Sequence, residues 1–431
     1  MKKTLLTICL VWMCFSLSAQ KIIDLSGKWS FSIDRQDNGE KEKWFSHTLN
    51  DCINLPGSMP EKLKGDEVTA KTQWTGSLYD SSYYYNPYME KYRKEGNIKF
   101  PFFLTPDKHY VGAAWYQKEV NIPADWKGER ILLFLERPHI ETTVWVNGQK
   151  TGMQNSLCVP HQYDITRYVR PGKCTITIRV DNRIKEINVG PDSHSITDQT
   201  QGNWNGIVGR ICLQTTPKTY FDDIQIYPEP EQKLARVKVV IKGTGTAKVK
   251  LSAESFNTDK KHIVPAIQQE IKLNKGVTET EMVLPMGNDM LLWDEFHPAL
   301  YKLKAEVTNG KKTEIKEIQF GMRRFEIKGK WFYVNGRKTQ LRGTVENCDF
   351  PLTGYAPMDV ESWERVFRIC RSYGLNHMRF HSFCPPEAAF IAADRVGFYL
   401  QPEGPSWPNH GPKLGLGQPI DTYLMNETIA L

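Results

Sequence analysis

Residues 360–384, Val-Glu-Ser-Trp-Glu-Arg-Val-Phe-Arg-Ile-Cys-Arg-Ser-Tyr-Gly-Leu-Asn-His-Met-Arg-Phe-His-Ser-Phe-Cys, decide the fold class. Val360, Trp363, Val366, Phe367 and Cys370 recur at helical spacing and so share one face. Gly374 then stops the helix, because glycine enters the left-handed conformation of a helix end without a Cβ clash. The next five residues, Asn376-His377-Met378-Arg379-Phe380, read as a strand. The same rhythm continues on both sides. Upstream, Trp331-Phe332-Tyr333-Val334 runs into an Asn335-Gly336 turn, and 339–345 reads as one short strand. Downstream, 386–396 reads as a helix with Ala389, Phe390 and Ala393 inward, and Gly397 after it. A strand at 398–401 and the start of another helix at 421–431 follow. Strand–helix alternation implies parallel pairing, and it reads as an incomplete (β/α)8 TIM barrel with about three of its eight units.

Further upstream the period changes from helix to strand. Residues 114–122, 130–136, 142–150 and 174–180 are strands, the third carrying an Asn147-Gly148 turn. Many short strands with turn signals predict a jelly-roll β-sandwich over 20–217. A second group of strands, at 236–242, 247–253, 279–284, 301–307 and 313–320, predicts an immunoglobulin-like sandwich over 218–320. Residues 321–431 are then the start of the barrel domain. Between 54 and 106 lies an irregular, aromatic-rich stretch with Trp74, Tyr79, Tyr83, Tyr84, Tyr85, Tyr88 and Tyr92. It is either a sugar-stacking insertion or packing against a neighbouring domain.

The chain has 431 residues, 40% hydrophobic and 24% charged, with mean hydropathy −0.49. That excludes a disordered chain and a polytopic membrane protein. Lys and Arg number 56 against 49 Asp and Glu, a net +7 that is scattered rather than gathered on a helix, so nucleic acid is not an expected partner. Residues 1–19 read as a secretory signal peptide. Lys2 and Lys3 precede an apolar run at 5–17, and Ser18-Ala19 supply small residues for cleavage. Export to the periplasm or beyond is expected, with no membrane association after cleavage. Seven cysteines follow the leader: Cys52, Cys158, Cys174, Cys212, Cys348, Cys370 and Cys384. They form no C-x-x-C pair and no metal-spaced cluster, and read mostly as small buried hydrophobes. No metal or cofactor is called for.

Active sites of such barrels lie at the carboxyl ends of the strands. Three segments follow strand ends here: Glu346-Asn347-Cys348-Asp349, His381-Ser382-Phe383-Cys384, and Glu403-Gly404-Pro405-Ser406-Trp407. Their polar groups suit sugar hydroxyls, and an indole face at Trp407 suits the C–H face of a pyranose. Glycoside hydrolysis needs two carboxylates, about 5 Å apart for retention. Glu346, Asp349 and Glu403 are the candidates, as catalysts, as substrate-binding groups or as plain ion pairs. His381 is an acid–base group, a hydroxyl ligand or a capping histidine. Arg379 points into the barrel, where a charge needs a partner. There is no G-x-S-x-G, Walker loop or H-E-x-x-H.

On these residues the chain resembles the amino-terminal part of a glycoside hydrolase family 2 enzyme, the group of β-galactosidases, β-glucuronidases and β-mannosidases. Ala114-Trp115-Tyr116-Gln117-Lys118, Val144-Trp145-Val146-Asn147-Gly148 and Trp204-Asn205-Gly206-Ile207-Val208-Gly209 are similar to segments of the family's galactose-binding-like jelly roll. Phe320-Gly321-Met322-Arg323 and Leu341-Arg342-Gly343 resemble its entry into the barrel. The resemblance implies a retaining mechanism on two glutamates, an acid/base after an asparagine following barrel strand four and a nucleophile ending strand seven. Neither strand is visible in these residues, so catalytic residues are expected beyond 431. Asn426-Glu427 has the right dipeptide on a helical spacing instead. The resemblance implies that Arg379 supports the nucleophile carboxylate, whereas Glu346, Asn347, His381, Glu403 and Trp407 are expected to bind substrate because of their place at the strand ends. His381-Ser382-Phe383 sits one position off the Ser-His-Tyr-Pro pattern of β-galactosidases.

The expected function is therefore the front part of an exported retaining exo-β-glycosidase, β-galactosidase-like. Its partner is the terminal β-linked sugar of an oligo- or polysaccharide, and these 431 residues alone are expected to be inactive. The alternative is a non-catalytic carbohydrate-binding protein. Oligomeric state is not read from the sequence.

Overall fold

The computed structural model describes residues 20–76, 81–102, 105–200, 202–408 and 411–431. The leader at 1–19 and Tyr79 lie outside the described residues. The protein is multidomain and mostly β. The first domain packs two antiparallel sheets. One runs Ile22–Asp24, Gly206–Thr216, Arg130–His139, His161–Asp164, with Gly57–Ser58 beside Gly206–Thr216. The other runs Gln149–Asn155, Glu141–Val146, Gly172–Asp181, Ala113–Ile122, Gly27–Asp34, Asp51–Leu55. Alternate residues of both sheets fill the core, among them Trp29, Phe31, Leu133, Leu135, Val144, Ile176, Ile178 and Leu213. Parity sends Tyr116 inward and Trp115 outward, where Trp115 packs with Trp145 and Leu49. The Tyr116 hydroxyl donates to Asn205 Oδ1 (2.8 Å), and Asn205 Nδ2 donates to the Gly112 and Val180 carbonyls. The Trp204-Asn205-Gly206 motif thus fastens the sandwich. At the Asn147-Gly148 hairpin both residues take positive φ, +50° and +75°, as a tight twisted turn requires.

The second β domain departs from the expected strand list. The strands expected at 236–242 and 247–253 are one strand, Leu234–Phe256, paired with the equally long Ile263–Pro285. The expected strands leave Gly243-Thr244-Gly245 between them. In the structure the strand runs on through these residues, with Gly245 at φ +85°, and the extra residue of the register shift lies on the partner strand between Leu273 and Gly276. One half of Leu234–Phe256 pairs with Tyr220–Glu229, which was missing from the expected strands, and the other half pairs with Leu300–Asn309. The two halves share a core that includes Val237, Val239, Leu251, Leu303 and Ala305.

The third region contains a parallel three-stranded sheet: β1 (Gly343–Glu346), β2 (His377–Phe380) and β3 (Tyr399–Gln401). Helices α1 (Val360–Ser372), α2 (Glu387–Val396) and α3 (Pro419–Ala430) follow the strands. The single strand expected over 339–345 is divided. Arg337–Thr339 joins an antiparallel meander, and only Gly343–Glu346 enters the parallel sheet. Asn376 causes the break, since its side chain accepts from Arg342 N (2.7 Å) and donates to the Gln340 carbonyl (3.1 Å). Met378 and Phe380 face the helices, where Trp363 and Phe367 complete the core. Phe390, expected inward, is 37% exposed. Ala388, Ala389, Ala392 and Ala393 make the inner face of α2 instead, and their small side chains let the helix lie close to the sheet.

The two β domains contact opposite ends of this sheet. The second domain meets the amino ends: Glu295 Oε2 accepts from Asn376 Nδ2 (2.6 Å), and Trp293 Nε1 donates to the Asp394 carbonyl (2.7 Å). The first domain meets the carboxyl ends.

Candidate functional site

Strand parity sorts the side chains at the carboxyl ends. Val345, Arg379 and Gln401 are register partners on the side away from the helical core. There Arg379 Nε donates to Glu403 Oε1 (2.5 Å), and Ser382 N donates to Glu403 Oε2 (2.7 Å). Burial raises the Glu403 carboxyl, but Arg379 and the Ser382 N–H outweigh it and hold the group below its ordinary value. Arg379 therefore has its partner. Its two Nη groups make no hydrogen bond among the described residues.

The first domain supplies the other wall. The connection 182–205, between Gly172–Asp181 and Gly206–Thr216, reaches across to the strand ends. Ser195 Oγ donates to the Ser382 carbonyl (2.8 Å), Ser193 Oγ to the Pro405 carbonyl (2.7 Å), and His194 N to Ser382 Oγ (2.9 Å). These bonds hold Ser382 at φ +51°, a region that favours glycine. Trp407 N and Ser406 Oγ both donate to the Val189 carbonyl at 3.0 Å. Three rings meet at this seam. His194 and His381 are linked Nδ1 to Nδ1 at 3.2 Å, and Trp407 stands 5.5 Å and 4.9 Å from them, nearly perpendicular to each. Burial, reinforced by His381, pushes His194 down to about 4. Burial and Arg379 also lower His381, against the pull of Glu403.

His381, Glu403, Trp407 and Arg379 are thus brought together. Glu346 stands apart from them. It follows the parity of Met378 and Phe380, toward the helices, and its charge is felt by Cys348 and by Cys370 of α1. Burial pushes its carboxyl up to about 7, although Asp349 N donates to Oε1 at 3.0 Å. Asn347 follows it, half-buried, and burial also raises Asp349. Glu427 is buried in α3, where its Oε2 accepts from Leu157 N (3.2 Å) and Cys158 N (3.0 Å). It fastens α3 to the first domain.

Sequence reasoning missed His194, Ser193 and Ser195. The signal was present: 182–205 is a long polar connection without alternation, and such loops are usually functional. The aromatic insertion braces this loop. Thr75 N donates to Asp198 Oδ2 (2.5 Å), Asp198 N donates back to the Thr75 carbonyl, and Asn203 Nδ2 donates to Thr75 Oγ1. Trp74 packs on Phe100 and His109, and Tyr83 stacks on Phe100, while Tyr84, Tyr85 and Tyr88 are exposed. Among the described residues, no group of three or more His, Cys, Asp or Glu could hold a metal ion, and no helix is long and apolar enough to cross a membrane.

Two β domains lead into a parallel β/α layer with polar groups at its strand ends, which makes the class of a multidomain β-rich protein with a β/α layer. Comparison with known proteins narrows this. Residues 22–217 match the family Glycosyl hydrolases family 2, sugar binding domain, and 219–323 match Glycosyl hydrolases family 2. The chain belongs to glycosyl hydrolases family 2. Similar curated proteins include a β-galactosidase of Thermoanaerobacter pseudethanolicus, 24% identical over 73% of this chain and 42% of its own length. A β-glucuronidase of Paenibacillus borealis is 23% identical over 90% and 59%, and human β-glucuronidase is 23% identical over 89% and 57%. The chain spans about half the length of these relatives. Among solved structures, a family 2 member from Bacteroides cellulosilyticus superposes with TM-score 0.68 at 19% identity, over 95% of this chain and 50% of that one. Ruminococcus gnavus β-glucuronidase in complex with D-glucaro-d-lactam gives 0.66 at 20%, over 95% and 63%. At these identities the structures establish the fold.

Proposed function

We propose that this chain forms the front part of an exported, retaining exo-β-glycosidase that hydrolyses terminal O-glycosidic bonds of oligo- or polysaccharides, with a β-galactosidase-like glycone site. On this reading the leader at 1–19 directs export to the periplasm or beyond. Residues 20–217 are a jelly roll, 218–320 an immunoglobulin-like sandwich and 321–431 the opening of a (β/α)8 barrel. The observation that carries the reading is the cluster of Arg379, Glu403, His381 and Trp407 at the strand ends, walled by the first domain's His194.

The chemistry follows from what each group has left to offer. Both oxygens of Glu403 are engaged, so it orients Arg379 rather than attacking a sugar. Arg379 keeps its Nη groups for a second carboxylate, which fits support of a nucleophile supplied from a later barrel strand. His381 and Trp407 face the sugar. Asn347 and Glu346 close the neighbouring strand end. The acid/base and nucleophile glutamates lie after residue 431, so these residues alone do not hydrolyse glycosides.

A panel of nitrophenyl β-glycosides tests this. The 431-residue chain should give no turnover above background. The same chain extended by the coding sequence that follows should cleave a β-galactoside with retention. Turnover by the 431 residues alone overturns the placement of the catalytic glutamates. Sugar binding without turnover by the extended chain favours a carbohydrate-binding protein instead.

A further inference from the structure

We propose that His194 and His381 act as one hydrogen-bonded unit that reads the hydroxyls of a neutral sugar and disfavours a uronate. The proposal deepens the glycosidase reading and rests on it. It begins with proton counting. The Nδ1 atoms are 3.2 Å apart, so one hydrogen lies between them. The ring that donates this hydrogen is the Nδ1–H tautomer, and its Nε2 is a bare acceptor. The ring that accepts is the Nε2–H tautomer, and its Nε2 is a donor. Whichever ring donates, the pair offers one acceptor and one donor. Among the described residues neither Nε2 has a hydrogen-bond partner, and both rings are half-buried beside Trp407.

Sugar hydroxyls answer such a pair, because each can donate and accept. A carboxylate only accepts, so it finds one donor and is repelled by the bare nitrogen. Charge points the same way. The charged groups felt by His194 are Arg379, Glu403 and Asp192, one cation against two carboxylates. This part of the site therefore carries no surplus cation to meet a uronate. The lowered affinity of both rings for a second proton keeps them neutral near pH 7, as the shared hydrogen requires. The first domain contributes half of this unit, so it takes part in choosing the sugar.

The test uses the 431-residue chain labelled with nitrogen-15. Long-range proton–nitrogen correlation should show one of the two rings as the Nδ1–H tautomer and the other as the Nε2–H tautomer. Methyl β-galactoside or methyl β-glucoside should shift both Nε2 signals and bind ~5–10-fold more tightly than methyl β-glucuronide, about one hydrogen bond's worth. His194→Phe, which keeps a ring beside Trp407, should remove that preference. Two rings in the same tautomer, a preference for the glucuronide, or no Nε2 shift with any glycoside overturns the inference. The wild-type measurements stand even where the variant fails to fold. A glucuronide preference would leave the glycosidase reading intact. Absence of hydrolysis by the extended chain, with the tautomers and selectivity as expected, would sink only that reading.

Discussion

Glu346 and Glu403 stand at the ends of the two strands that flank β2, yet their carboxyls are driven in opposite directions. Glu346 falls on the helix-facing side, where burial without a cation raises it to about 7. Glu403 falls on the side of Arg379, which holds it below its ordinary value. Residue type and distance from a strand end are the same for both, within a residue or two. Side-chain parity differs, and it sends one carboxylate toward a packed layer and the other toward an open seam.

The largest expected effect tests the packed side against the open one. Trp363→Ala removes a fully buried indole from the helix-facing core and should cost ~3–5 kcal/mol in urea unfolding. Val345→Ala, on the opposite side and 49% exposed, should stay within ~0.5 kcal/mol. Equal costs would break the distinction between the sides.

Next in size is Glu346→Gln. A carboxyl raised in the folded state binds its proton more tightly there than in the unfolded chain. Its stabilising protonation is complete below the unfolded value near 4.5 and is lost as pH rises to about 7. The glutamine variant should therefore match wild type at pH 4 and exceed it above pH 7 by ~1–3 kcal/mol. A variant that is less stable at pH 8 would show that the backbone N–H groups of 347–349 outweigh burial at the Glu346 carboxylate.

Arg379→Met should have a smaller effect than Glu346→Gln and the opposite sign with pH. A lowered carboxyl stabilises the fold above its unfolded value and loses that contribution as pH falls through the folded one. Because Arg379 is 40% exposed, solvent screening limits the cost near pH 7 to ~1 kcal/mol. The gap between variant and wild type should close on acidification. A gap that persists at pH 3 would assign the loss to packing instead.

Much of this was legible in the sequence. The helix, glycine stop and strand over 360–384 gave the parallel layer directly, because period and punctuation are local properties. His381, Glu403 and Trp407 were legible because they follow strand ends, and Arg379 because a charge within a strand needs a partner. The orientation of Glu346 was not, since β1 is too short for alternation to show and Asn376 sets where it begins. The continuity of Leu234–Phe256 was not, because Gly-Thr-Gly serves equally as a turn or as a stretch of strand. His194 was not, because its partner His381 lies 187 residues further along the chain. Only the docking of the first domain on the strand ends makes them one site.

That docking is the central claim, and a crystal of the 431-residue chain soaked in a neutral β-linked disaccharide tests it most directly. The sugar is expected at the seam, in contact with His194, His381 and Trp407. Sugar bound only elsewhere on the first domain, or none at saturating concentration, would contradict the account.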